Sequence, residues 1–78
     1  MITVKLFGIT REIVGQPILE IKDPINTVAQ LKEFMTANYP KIKALNSLLI
    51  AVNSEYAEDE IMIKSSDEVA LIPPVSGG

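Results

Sequence analysis

A single segment of this sequence has the pattern of a long amphipathic helix, and this limits the folds open to a chain of 78 residues. Thr27-x-x-Gln30 matches a capping box, in which side chains of the first turn bond the backbone N–H groups there. The apolar residues that follow at helical spacing are Val28, Leu31, Phe34 and Met35. Pro40 then ends the pattern. Because one apolar stripe can cover one sheet face, the sequence predicts a single helix packed across a β-sheet.

The rest of the chain contains strand patterns. Residues 1–7 alternate, and we predict that Ile2, Val4 and Leu6 face the core. The other predicted strands are 18–22, 48–52, 61–63 and 69–72. A Gly15-Gln16-Pro17 turn signal predicts that the first two strands form an antiparallel hairpin, whose long loop carries about one helical turn at 11–14.

The order of a strand pair, a helix and further strands indicates the α+β class. A doubly wound parallel sheet would need repeated crossover helices, and the chain has room for one. A single right-handed crossover places a late strand parallel to the first, so we predict that 69–72 lies beside 1–7. Residues 69–72 are apolar on both faces, as in a central strand or one that meets a partner. We therefore predict a domain at 1–73 and an extended, flexible tail at 74–78.

Composition excludes several kinds of chemistry. The chain has no histidine and no cysteine, which excludes a Ser-His-Asp triad, a cysteine nucleophile and the usual zinc ligands. Seven basic against ten acidic residues, net −3, are not a nucleic-acid-binding pattern. The longest apolar run is far too short to span a bilayer, and no signal-peptide pattern opens the chain. We expect a cytoplasmic protein that binds neither nucleic acid nor membrane, and no metal site.

The last six residues are the part of the sequence that suggests chemistry. They are Pro73, Pro74, Val75, Ser76, Gly77 and Gly78. Proline cannot donate to a sheet ladder, so two in succession end the last strand and direct the chain away from the domain. Glycine has no Cβ, so a narrow channel could close around the final residues. We predict that this tail enters a pocket of another protein; the alternative is an ordinary frayed terminus.

A terminal carboxylate needs activation before it can react. It is ionised at neutral pH, and an anion is a poor electrophile. Joining it to AMP gives a mixed anhydride, from which sulfur or an amine can displace AMP. The chain has no Gly-x-x-x-x-Gly-Lys loop that could hold ATP. We therefore expect no bound cofactor here, and a separate activating enzyme that uses ATP.

Four sequence blocks resemble the small subunit of molybdopterin synthase, the MoaD family of ubiquitin-like sulfur carriers. They are the first strand with Phe7, residues 11–15, Ala51-Val52-Asn53, and 67–70 leading into Pro-Pro-Val-Ser-Gly-Gly. The Gly-Gly end alone would equally suit the thiazole-forming carrier ThiS or a protein modifier. The Pro-Pro-Val before it resembles the molybdopterin branch. One departure is Ser66, where the family often has glycine.

The resemblance implies a β-grasp (ubiquitin-like) fold, with a mixed sheet of four to five strands and one main helix. It implies that a MoeB-like enzyme adenylates Gly78 and that a sulfur donor protein converts it to a thiocarboxylate. Two small subunits would dock on a dimer of MoaE-like large subunits, where sulfur passes to cyclic pyranopterin monophosphate. The chain would then be a non-catalytic sulfur donor, with catalytic side chains on the large subunit.

Four residues are candidates for partner docking. Phe7 and Ile72 fall on the outer side of their strands, near the start of the tail, and Tyr56 could join them. Arg11 could bind a partner carboxylate, or be an ordinary solvated residue. Scattered surface apolar residues are the alternative for the other three. Besides a sulfur carrier for molybdopterin or thiazole synthesis, a ubiquitin-like modifier and a passive interaction module remain open. Acidic runs at 58–60 and 67–68 are expected to be solvated loop ends.

Overall fold

The computed structural model describes residues 1–45 and 48–73, which form a mixed sheet with helices on one face. The strands are β1 (Ile2–Leu6), β2 (Ile18–Ile21), β3 (Leu49–Val52), β4 (Glu55–Ala57) and β5 (Val69–Ile72). The helices are α1 (Gly8–Val14), α2 (Val28–Asn38) and α3 (Pro40–Lys43). This is the predicted α+β architecture. None of the helices in the described part of the chain is both long and apolar enough to span a bilayer.

The strands lie in the order β2-β1-β5-β3-β4. β1 pairs antiparallel with β2 and parallel with β5, which confirms both the N-terminal hairpin and the predicted neighbour of the last strand. β3 pairs antiparallel with β5 on one side and with β4 on the other. The last strand of the chain therefore occupies the centre of the sheet, and the residue that follows it is Pro73.

The core lies between α2 and one face of the sheet. Side chains that are almost fully buried there include Ile2, Val4, Leu6, Val28, Leu31, Met35, Ile50, Val69 and Leu71. The alternation predicted for β1 is confirmed, because its three core-facing residues are all buried. The fourth residue of the helical stripe, Phe34, is only partly buried and packs against the edge of the core.

The capping box of α2 forms as predicted. The Gln30 backbone N–H donates to Thr27 Oγ1 at 3.2 Å, and Gln30 Oε1 accepts from the Thr27 backbone N–H at 3.3 Å. Gln30 Oε1 also accepts from Asn26 N–H at 2.6 Å. Tyr39 separates α2 from α3, and Pro40 occupies the first turn of α3; proline tolerates that position because its missing N–H would be unpaired there anyway.

One local prediction was wrong, one helical segment was predicted too short, and one strand was missed. The strand predicted at 61–63 is reduced to one bridge between Met62 and Thr27, because backbone groups there bond the segment before and at the start of α2. Ile61 O accepts from Val28 N–H at 3.0 Å, and Ile63 N–H donates to Asn26 O at 2.8 Å. The helical turn predicted at 11–14 is present as the second half of a longer helix, α1, which begins at Gly8. No strand was predicted at β4.

Candidate functional site

The face of the sheet opposite the core is the candidate functional site, here called the outer face. Its residues are Thr3, Lys5, Phe7, Ile18, Glu20, Leu49, Ala51, Tyr56, Ala70 and Ile72. Strand register places them together: Ile18 pairs with Lys5, and Lys5 with Ala70. Ala70 pairs with Ala51, and Ala51 with Tyr56. Directly paired residues point to the same side of a sheet, so one row of side chains crosses all five strands.

A shallow concavity of about 330 Å³ lies on the outer face. Three of the four residues predicted for docking, Phe7, Tyr56 and Ile72, help to line it. Phe7 remains 49% exposed and Tyr56 71% exposed, although both are large aromatic residues. The structure thus gathers these three side chains beside the end of β5, while their role in docking stays a prediction.

Sequence reasoning missed two exposed apolar residues of this face. Leu49 is 46% exposed and pairs directly with Ile72 in the sheet. Ile18 is 47% exposed and pairs with Lys5. Leu49 lies in a continuous apolar run, which shows no alternation from which a face could be assigned. The partner strand supplies that information, because a residue opposite Ile72 must share its face.

One ion pair lies at the edge of the concavity. Lys5 Nζ is 3.2 Å from Glu68 Oε2, and both side chains are substantially exposed. Exposed ion pairs contribute little to stability, so a partner can replace this pairing at small cost. The concavity therefore has a mostly apolar lining that carries one cation and one anion within reach of a docked protein.

Arg11 is not among the side chains that line the concavity. It lies in the last turn of α1 with an exposed side chain. Its carbonyl oxygen accepts from Gly15 N–H at 2.8 Å, a bond that closes the C-terminus of this helix. The structure therefore gives Arg11 a backbone role in α1 and leaves its guanidinium solvated. Its part in docking stays a prediction.

Pro73 is the last residue that the structure describes, and it lies against the N-terminal end of α1. Gly8 has a φ of +54°, and a Cβ at this position would lie 3.1 Å from Pro73 Cγ. Pro73 is partly buried. The remaining residues predicted for the tail lie outside the described residues: Pro74, Val75, Ser76, Gly77 and Gly78.

The β3–β4 turn is tied to the segment that leads into β5. Asn53 Nδ2 donates to Asp67 Oδ1 at 3.1 Å, and Lys64 N–H donates to Asp67 Oδ2 at 2.8 Å. These two hydrogen bonds, that of the Lys64 backbone first, lower the pKa of Asp67 below its ordinary value. Ser66 is not among the described residues with positive φ, so serine suits this turn.

The acidic runs have structural partners instead of forming a cluster. Asp59 Oδ1 accepts from Lys32 Nζ at 2.7 Å, and Asp67 takes part in the turn described above. Within residues 1–45 and 48–73, no three carboxylates converge in a way that could hold a metal ion. The solvated positions of Glu58 and Glu60 agree with exposed loop ends.

The sheet order and the helix packed across it define the class: the chain is a ubiquitin-like β-grasp protein. Residues 4–78 match the model of the ThiS family, and the chain belongs to that family. The resemblance to sulfur carriers stated from the sequence is thereby confirmed.

Curated relatives add a more specific similarity. The chain is 35% identical to a molybdopterin synthase sulfur carrier subunit of Arabidopsis thaliana, over 99% of this chain and 82% of that one. It is 39% identical to the protein of the same name from Dictyostelium discoideum, over 94% of this chain and 91% of that one.

Two solved structures show the same fold. One is a putative molybdopterin converting factor, subunit 1, from Pyrococcus furiosus, with a TM-score of 0.82 and 28% identity over 95% of this chain and 97% of that one. The other is small archaeal modifier protein 1 from Methanosarcina acetivorans, with a TM-score of 0.77 and 30% identity over 99% and 95%. A putative molybdopterin converting factor subunit and a small modifier protein thus share this architecture.

Proposed function

We propose that this protein is the sulfur carrier subunit of a molybdopterin synthase. The observation that carries the proposal is the apolar concavity of the outer face, which reaches Ile72, the residue immediately before Pro73. A docking surface beside the start of the tail suits a protein that binds a partner through its sheet while its last residue, Gly78, reacts in the active site of that partner. Family membership and the names of the curated relatives support the same conclusion.

The proposed chemistry takes place at Gly78. A carboxylate oxygen attacks the α-phosphorus of ATP, pyrophosphate leaves, and an acyl adenylate forms on a MoeB-like enzyme. Sulfide-level sulfur (HS⁻) from a donor protein then attacks the carbonyl carbon of Gly78, the C–O bond to AMP breaks, and the thiocarboxylate forms with AMP as the leaving group. In the active site of a MoaE-like large subunit, this sulfur passes to cyclic pyranopterin monophosphate. Two such transfers supply the two sulfurs of the dithiolene.

The chain's own residues serve binding and positioning in this scheme. It has no histidine and no cysteine, so its partners supply the acid–base groups and the ATP site. Phe7 and Tyr56 provide exposed aromatic surface, the kind that is enriched at interface centres, and the half-buried Ile72 lies beside them. Arg11 lies on the neighbouring helix and would meet a partner at the rim. Two such subunits on a dimer of large subunits complete the proposed heterotetramer, which acts in the cytoplasm.

A second candidate is a ubiquitin-like modifier. The structural similarity to small archaeal modifier protein 1 favours it, at 30% identity over nearly the whole chain. Both functions would use the same acyl adenylate, because either sulfur or an amine can attack it and displace AMP. The ThiS family match also leaves a thiazole-forming pathway as the sulfur acceptor. The acceptor alone separates these functions.

The test is the intact mass of the protein after incubation with ATP, a MoeB-like enzyme and a sulfur donor. We expect one oxygen to be replaced by sulfur, and we expect no change in a control that lacks Gly78. Adding the large subunit and pyranopterin should then return the original mass. An unchanged mass, with the enzyme shown active on another carrier, would refute the proposal. High-mass conjugates in cell extract would favour the modifier.

A further inference from the structure

Two glycines with positive φ lie at the two ends of α1, and their surroundings differ. Gly8 has a φ of +54°, and a Cβ there would lie 3.1 Å from Pro73 Cγ, closer than an ordinary van der Waals contact. Gly15 has a φ of +89°, and a Cβ there would have nothing within 4 Å. Any other residue would be strained at both positions, but only at Gly8 would it also press on Pro73.

The end of β1 holds α1 firmly in place. Thr10 is fully buried, and its Oγ1 donates to Phe7 O at 2.6 Å and accepts from Phe7 N–H at 3.2 Å. Leu6 in turn pairs with Leu71 of the neighbouring strand β5. Both sides of the Gly8–Pro73 contact are thus anchored in the sheet. A side chain at Gly8 would have to be accommodated by movement of Pro73, the first residue after β5.

The contact also links the start of the tail to the outer face. Phe7 directly precedes Gly8, and Ile72 directly precedes Pro73, and both of these preceding residues line the concavity. The contact between Gly8 and Pro73 therefore fixes the position of Pro73 relative to the concavity. A partner that docks on the concavity would find the start of the tail at this fixed position.

We propose that Gly8 is a positioning residue: its lack of a side chain lets Pro73 pack against α1, and this sets where and in which direction the chain continues toward Gly78. The inference rests on the proposed function, since the direction matters only if Gly78 must reach an active site while the outer face is docked. Small misplacements of a reacting group cost large factors in rate, so the contact should affect the reaction more than the docking.

The contact itself is tested by a double-mutant cycle that does not depend on function. We expect Gly8→Ala to lower the urea midpoint of unfolding more than the control Gly15→Ala, which also places a side chain at positive φ, here +89°, but without the contact. In a Pro73→Ala background, which removes Cγ, this excess should disappear. An equal excess in both backgrounds would overturn the inference. If Gly8→Ala does not fold, the nuclear Overhauser effect between Gly8 and Pro73 protons in the unaltered protein decides, and its absence overturns the inference.

The positioning role is tested with the activating enzyme, ATP and the sulfur donor. We expect Gly8→Ala to lower kcat for sulfur loading about tenfold relative to Gly15→Ala, with docking affinity unchanged within about twofold. Equal kcat values for the two variants, or a parallel loss of affinity, would overturn it. Failure of the unaltered protein to gain sulfur would instead refute the proposed function. The double-mutant cycle in urea would still test whether Gly8 and Pro73 are in contact.

Discussion

Asn53 donates a hydrogen bond of 3.1 Å from its side-chain nitrogen to Asp67, and so joins the β3–β4 turn to the segment before β5. Asn53 Oδ1 also accepts from Glu68 N–H at 2.9 Å, and Asn53 N–H donates to Glu68 O at 2.7 Å. Asn53 and Ser54 have φ values of 53° and 70°, the positive sign that a two-residue type I′ turn requires. One asparagine thus serves both the turn and the neighbouring strand.

Replacing Asn53 should destabilise the domain for two separable reasons. Asn53→Ala loses both side-chain hydrogen bonds and places a less tolerant residue at positive φ. We expect it to lower the free energy of unfolding by about 1–3 kcal/mol. Asn53→Gly keeps the backbone conformation and should lose less. Urea titrations of the original protein and the two variants separate the loss of the side-chain hydrogen bonds from the strain at positive φ. An Asn53→Ala variant as stable as the original protein would contradict both effects.

Asp67 should make the stability depend on acidic pH. Its pKa is lowered in the folded protein, first by the Lys64 backbone N–H and then by the Asn53 amide. The stabilisation is therefore fully present above the ordinary pKa of an aspartate, and is lost as the pH falls through the lowered folded-state pKa. Urea midpoints measured from neutral to strongly acidic pH should show this loss. Asp67→Asn should flatten that part of the profile; an unchanged profile would exclude Asp67 as the cause.

Thr10 should be sensitive to removal of its hydroxyl group. Thr10→Val conserves shape but removes the two partly buried bonds that the Phe7 N–H and C=O make to Oγ1 of the fully buried Thr10. We expect a loss of about 1–3 kcal/mol in unfolding free energy. The control is Thr36→Val, whose hydroxyl donates to Lys32 O on a more open helix surface and should cost about 0.5 kcal/mol or less. Equal losses would show that burial does not decide the effect.

The outer face should bind the activating enzyme through Tyr56. Tyr56→Ala removes an exposed aromatic residue from the concavity, and we expect binding to weaken about tenfold. Met62→Ala is the matched control, because Met62 is 62% exposed but does not line this concavity. Isothermal titration calorimetry measures both variants. Similar affinities for the two would place the docking surface elsewhere.

Short sequence patterns were sufficient to predict the elements whose residues show a clear helical or strand periodicity. The capping box at Thr27 and the stripe from Val28 predicted α2, and alternation predicted β1. β4 was missed because Glu55–Ala57 has only three residues, too few to show an alternation, and pairs at the sheet edge, where only Ala57 packs against the core. The strand expected at 61–63 failed because its backbone partners are the residues around Asn26, far away in sequence.

The candidate site could be predicted only in part, because strand alternation is visible in the sequence but the pairing between strands is not. Strand parity placed Phe7 and Ile72 on the outer face, and the structure gathers them with Tyr56. Leu49 could be assigned to this face only from its pairing with Ile72. The approach of Pro73 to Gly8 joins the two ends of the chain, so no local pattern in the sequence predicts it.

Because β5 lies at the centre of the sheet, the sheet is complete only when this strand is present. Without β5, the pairs β1–β2 and β3–β4 would be two separate hairpins with no strand between them, and isolated hairpins are only marginally stable. During synthesis, the sheet can close only after Ile72 has left the ribosome. A prematurely terminated chain that lacks β5 would stay open to proteolysis, so the pool of folded molecules would consist of those that already carry the strand from which the tail starts.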